Sequence, residues 1–205
     1  MANKSVNNVR QILIWTGVVA AIAVPIIAAA LSPLLAWRDP IYILAGFAGI
    51  VGLALLLIQP LLAGGKLPGL SGARGRSLHR KIGLGLVVAV VVHVAGLWIT
   101  SPPDVVDVLL FTSPTPFAVW GVIAMWAVFV SACLAFLRTR LRLRPRVWRV
   151  AHTMLAVVIV AGSTVHAWLI EGTMGQVSKA VLCVLVIGVS VKVFADLKVW
   201  AKRRR

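Results

Sequence analysis

Acidic residues are scarce in this chain. Five Asp and Glu stand against 21 Lys and Arg, and charged residues of either sign fill only 13 % of the 205 positions. A water-exposed surface carries roughly a quarter to a third charged residues, so a soluble globule is excluded. Cysteine is limited to Cys133 and Cys183, each inside an apolar run with no partner spacing. That excludes a disulfide framework and a cysteine-ligated metal site, and both read as small buried hydrophobes. Histidine is limited to four residues, and these are not scattered.

What the chain has in abundance is apolar sequence, with 60 % hydrophobic residues and a mean hydropathy of +1.00. Long apolar runs read as membrane-crossing helices. The expected spans are 12–35, 41–62, 79–100, 117–137, 150–170 and 176–199. Residues 1–205 are therefore read as one all-α integral membrane domain, a six-helix transmembrane bundle. Pro25 is expected to kink the first span rather than end it. Ala28-Ala29-Ala30 has the form of a signal-peptidase site, but the run exceeds a typical signal core and is read as an uncleaved span.

A formal net charge of +16 would otherwise raise the question of nucleic acid, but the basic residues sit in alternate loops. Lys4 and Arg10 precede the first span; Lys66, Arg74 and Arg76 lie between the second and third. Six arginines fall within 138–149, and Lys198, Lys202 and Arg203 to Arg205 close the chain. The other three loops carry Arg38 alone, together with Asp39, Asp104, Asp107 and Glu171. By the positive-inside rule both termini are cytoplasmic, in a membrane of the bacterial inner (plasma) type, with lipid as a partner and nucleic acid not one. Trp15, Trp37, Trp98, Trp148, Trp168 and Trp200 lie near span ends and read as interfacial anchors. Lys192 and Asp196, four apart, suit an ion pair.

The four histidines form two pairs, His79 with His93 in the third span and His152 with His166 in the fifth, each fourteen residues apart. On a helix this interval rises about 21 Å and returns to within about 40° of the same face. Both spans start at a basic loop, so they run parallel. His79 and His152 then share the inner level, and His93 and His166 the outer. Ionisable groups inside a membrane are costly and usually functional. A closed zinc site wants four ligands, whereas each level offers two, and two axial imidazoles complete a six-coordinate haem iron. No Cys-x-x-Cys-His motif exists, so such haems would carry no thioether link. Gly83, Gly96 and Gly162 lie on the histidine faces, where a missing side chain would give a macrocycle clearance. Arg76, Arg80 and Arg149 are the arginines nearest the inner pair and are candidates for haem propionates.

Six spans carrying His79-Arg80-Lys81-Ile82-Gly83 with His93, and Trp148-Arg149-Val150-Ala151-His152 with His166, resemble the ferric reductase-like transmembrane domain. That domain is shared by ferric reductases, NADPH oxidases and the haem subunit of the bacterial periplasmic methionine sulfoxide reductase system. The resemblance covers about residues 10–200. It implies the membrane component of an oxidoreductase, moving electrons through two haem b groups with the four histidines as ligands to the haem iron. Only six residues follow Val199, so it implies a donor elsewhere: a cytoplasmic flavoprotein with its flavin, or a membrane quinol. The implied acceptor is periplasmic, either a protein or ferric iron. The sulfoxide reductase subunit often has arginine in place of His79, so four histidines bring this chain nearer the general group. Alternatives are a haem subunit feeding a periplasmic reductase such as methionine sulfoxide reductase, a quinol-oxidising cytochrome, and a histidine-based proton relay or transporter.

Overall fold

The computed structural model describes residues 2–197. Lys198, Trp200, Lys202, Arg203 to Arg205 and the last two positions of the sixth expected span lie outside the described residues, as does the side chain of Lys4. Seven α-helices and no strand occur among the described residues. Helix α1 spans Ala2–Ala30, α2 Pro40–Ala63, α3 Gly72–Thr100, α4 Pro102–Leu109, α5 Ala118–Leu137, α6 Pro145–Leu169 and α7 Gln176–Leu197. All except α4 are long and apolar enough to cross a membrane. The protein is thus an all-α, multi-pass membrane protein, as expected where hydrocarbon forces every backbone group to bond within its own helix.

Local chemistry sets the helix ends. Asp39 caps α2, its Oδ1 accepting from the amides of Ile41 and Tyr42 at 2.7 and 3.2 Å, with Pro40 at the first helical position. Helix α1 runs through Pro25 but stops at Ala30, short of the expected residue 35. Pro33 cannot donate to the preceding turn, and Pro33–Leu35 forms a separate 3₁₀ turn capped by Ser32. The acidic stretch after α3 was expected as a loop and instead contains α4. Two prolines at its start and Asp104 in its first turn favour helix initiation there. Helices α3 and α6 begin at Gly72 and Pro145, each seven residues before its first histidine. His79 and His152 therefore sit two turns inside a helix rather than at its edge.

Two antiparallel hairpins, α2 with α3 and α5 with α6, make up the bundle, and α7 packs against α2 and α6. Helices α3 and α6 make no extended contact with each other; the space between them is where the histidines meet. The core is formed by Leu53, Leu57, Val128, Leu182 and Val186 among others. Small residues allow the hairpins to close, because membrane helices associate through packing rather than through a hydrophobic force between them. A Cβ at Gly96 would lie 2.8 Å from the Ala45 Cβ, and one at Gly162 would lie 2.9 Å from the Trp120 carbonyl oxygen. Gly162→Ala must push α5 off α6, an overpacking cost of about 1–3 kcal/mol. Thermal unfolding in detergent should show this loss, whereas Gly188→Ala, with nothing within 4 Å of its Cβ, should be neutral or slightly stabilising.

Two smaller expectations meet the structure differently. Cys183 is buried, but Cys133 is exposed on the outer surface of α5, where lipid rather than protein covers an apolar side chain. Lys192 and Asp196 do pair at 2.8 Å, and Lys66 from the α2–α3 loop adds a second contact to Asp196 at 2.6 Å. The triad ties one end of α7 to that loop.

Candidate functional site

The four histidines meet across the α3–α6 gap as two pairs. The ring centres of His79 and His152 are 6.2 Å apart with planes at 76°, and those of His93 and His166 are 6.4 Å apart at 81°. These distances are too long for direct stacking or for a nitrogen-to-nitrogen hydrogen bond. They match two imidazoles on opposite sides of one metal ion. A nitrogen–metal bond of about 2.0 Å plus about 1.1 Å from nitrogen to ring centre, taken twice, spans about 6.3 Å. No group of three or more His, Cys, Asp or Glu that could hold a metal ion occurs among the described residues. Each level thus brings together two imidazoles, an arrangement that suits a centre whose other ligands come from a macrocycle.

Every ring is held through Nδ1. His79 Nδ1 bonds the Gln59 carbonyl at 3.2 Å, His93 Nδ1 the Ala45 carbonyl at 2.7 Å, and His166 Nδ1 the Phe117 carbonyl at 2.9 Å. His152 Nδ1 lies 3.0 Å from Ser131 Oγ. A carbonyl only accepts, so in the first three rings Nδ1 carries the proton and Nε2 keeps its lone pair. This is how proteins orient imidazoles that bind metals.

These partners repeat the histidine spacing. Ala45 and Gln59 on α2 are fourteen residues apart, as are Phe117, which precedes α5, and Ser131 within it. Each histidine helix is backed by an antiparallel neighbour that supplies a partner at both levels. Gly49 and Gly121 occupy matching places, four residues after Ala45 and Phe117. A Cβ on Gly49 would lie 3.1 Å from His93 Nδ1, and one on Gly121 would lie 2.7 Å from His166 Nδ1. These are the glycines that give the rings room. The space at Gly83, Gly96 and Gly162 is instead occupied by the facing helix: by Gln59 Nε2, by Ala45, and by Trp120 and Ala124. Sequence reasoning missed Gly49 and Gly121 because neither lies on a histidine helix. Their separation of 72 residues, the same as Ala45 to Phe117 and Gln59 to Ser131, was the available signal.

The pair at the basic end has an aromatic roof. Trp148, expected as an interfacial anchor, stacks on His152 with ring centres 5.2 Å apart and planes at 10°, and the Arg138 guanidinium lies 4.9 Å over its ring. Trp15, Trp37, Trp98 and Trp168 are exposed, as anchors would be. Trp148 Nε1 and Gln59 Oε1 are buried with no hydrogen-bond partner, while Gln59 Nε2 donates to the His79 carbonyl. Buried polar atoms as a rule have a hydrogen-bond partner, so Trp148 Nε1 and Gln59 Oε1 leave bonding capacity free beside the His79/His152 pair. Arg76, Arg80 and Arg149 are exposed around this end.

Between the two levels the protein is apolar. Leu86 and Ile159, each seven residues from both histidines of its helix, are buried in the apolar core. At the acidic end stands a residue that sequence reasoning passed over. Lys179 is only 3 % exposed, and its Nζ donates to the Ile170 carbonyl at 2.7 Å.

Fold and site together define a multi-pass membrane protein with two stacked, preorganised bis-imidazole sites. The family model described as ferric reductase like transmembrane component matches residues 45–163, more than half of the chain. The protein belongs to this family of transmembrane electron-transfer domains, whose members generally bind haem. No curated protein and no solved structure matches the chain.

Proposed function

We propose that the protein carries electrons across a bacterial inner membrane through two b-type haems, one ligated by His79 and His152 and the other by His93 and His166. The single observation that carries this reading is the pairing itself. Two imidazole pairs, with ring centres 6.2 and 6.4 Å apart and each ring fixed through Nδ1, would each hold one haem iron. Haem would supply a one-electron carrier at each level. The chain's own residues do the rest. The acceptors on α2 and α5 fix ring orientation and make Nε2 a better donor to iron. Trp148 Nε1 is a free hydrogen-bond donor for a propionate at the inner site, with Arg76, Arg80 and Arg149 as nearby cations. Leu86 and Ile159 keep water out of the layer between the levels.

With both termini in the cytoplasm, the His79/His152 level faces the cytoplasm and receives electrons from a flavoprotein or a membrane quinol. The outer level passes them to a periplasmic acceptor, either ferric iron or a reductase of the methionine sulfoxide type. Outward movement of negative charge is favoured by the membrane potential, by about 2.3 kcal/mol per 100 mV for a full crossing. The proton-relay reading is weaker. A relay needs polar continuity between the levels and ring nitrogens free to exchange, whereas the middle is apolar and three Nδ1 atoms end on carbonyls.

Sealed vesicles loaded with ferricyanide test the function. Dithionite added outside is expected to reduce the trapped ferricyanide quickly when haem-loaded protein is present, and slowly in empty vesicles. Equal rates in both would overturn the reading.

A further inference from the structure

Lys179 is the one buried charged side chain among the described residues. A buried ammonium is costly unless it is paired with an anion. The ion pairs among the described residues all involve Asp196, at the other end of α7. Lys179 has three donors, and a single acceptor is present, the carbonyl of Ile170 at the end of α6. That helix terminus favours a cation. It also links the charge to the backbone of the outer pair, because the Ile170 amide in turn donates to the His166 carbonyl at 3.1 Å. The ammonium is two hydrogen bonds and one helical turn from a ligand of the outer site.

The two hairpins are otherwise matched at this level, with Ala45, Gly49 and His93 on one side and Phe117, Gly121 and His166 on the other. Lys179 breaks the match. It comes from α7, which has no counterpart in the repeat, and its charge is buried at the outer end, whereas Arg76, Arg80, Arg138 and Arg149 at the inner end are exposed. Reduction of a centre adds one negative charge, which a nearby cation stabilises, and burial weakens screening of that interaction.

Resting on the two-haem reading above, we propose that Lys179 is a positioning residue that raises the reduction potential of the outer haem. A helix cap alone would need only a donor to the Ile170 carbonyl. Lys179→Gln keeps an amide donor while removing the charge, and Lys179→Arg keeps both.

The experiment is an optical redox titration of the purified haem-loaded protein. In Lys179→Gln the midpoint of one haem is expected to fall while the other stays in place, and Lys179→Arg is expected to titrate near wild type. In a His152→Ala background, where the outer pair alone remains intact, Lys179→Gln should produce the same fall. Wild-type midpoints in Lys179→Gln, or equal falls at both haems, would overturn the proposal and leave Lys179 a cap. Wild-type protein that binds no haem would instead overturn the proposed function itself. Should Lys179→Gln fail to fold, Lys179→Met serves as the second charge-free variant, read by the same midpoints.

Discussion

His93→Ala is expected to leave one haem per chain and to reduce transmembrane electron transfer to the rate of empty vesicles. The ring is one of two imidazoles at its level, and no third His, Cys, Asp or Glu stands close enough to substitute among the described residues. The remaining His79/His152 site lies about 21 Å along the helix axis, separated from the outer level by the Leu86/Ile159 layer. Electron tunnelling falls off exponentially with distance, so an intact inner site cannot compensate. Haem counting and the ferricyanide assay, run on one preparation, check both halves. Two haems and wild-type flux in this variant would remove His93 from the site.

Gly121→Ala is expected to weaken the outer haem about 10- to 100-fold, the usual range for disturbing a partner that orients a metal ligand. The added Cβ would lie 2.7 Å from His166 Nδ1 and 2.9 Å from Cε1. The ring must turn, which breaks its 2.9 Å bond to the Phe117 carbonyl. Gly49→Ala should do the same to His93 more mildly, since its closest approach is 3.1 Å. Haem content and the outer midpoint measured in both variants give the order: Gly121→Ala larger, Gly49→Ala smaller. Equal, unperturbed haem in both would mean that the rings do not need these glycines.

The bundle and its two histidine pairs were legible in the sequence because a membrane leaves few options. Hydrocarbon demands long apolar helices, basic loops mark alternate ends, and an intramembrane histidine stands out against Leu and Val. The supporting shell was not legible in the same way. Carbonyls of Ala45, Gln59 and Phe117 have no side-chain signature, and Gly49 and Gly121 resemble any small residue in a membrane helix until a ring is set against them. Gly83, Gly96 and Gly162 drew attention because they share a helix face with histidine. A helix face about 100° wide also meets its neighbouring helix, and that neighbour fills the space. Trp148 looked like the other span-end tryptophans. Only the start of α6 at Pro145, two turns before His152, brings its indole onto that ring. Lys179 was hidden by its position three residues into α7, where a span-end lysine reads as an edge.

The central claim is that the four histidines hold two low-spin haems. The measurement that tests it most directly is the reduced-minus-oxidised optical spectrum of detergent-purified protein, with a haem count on the same sample. Two b-type haems per chain, falling to one in either His93→Ala or His152→Ala, is the predicted result. Protein that stays colourless after expression with ample haem, or whose haem content is unchanged by both substitutions, would contradict it.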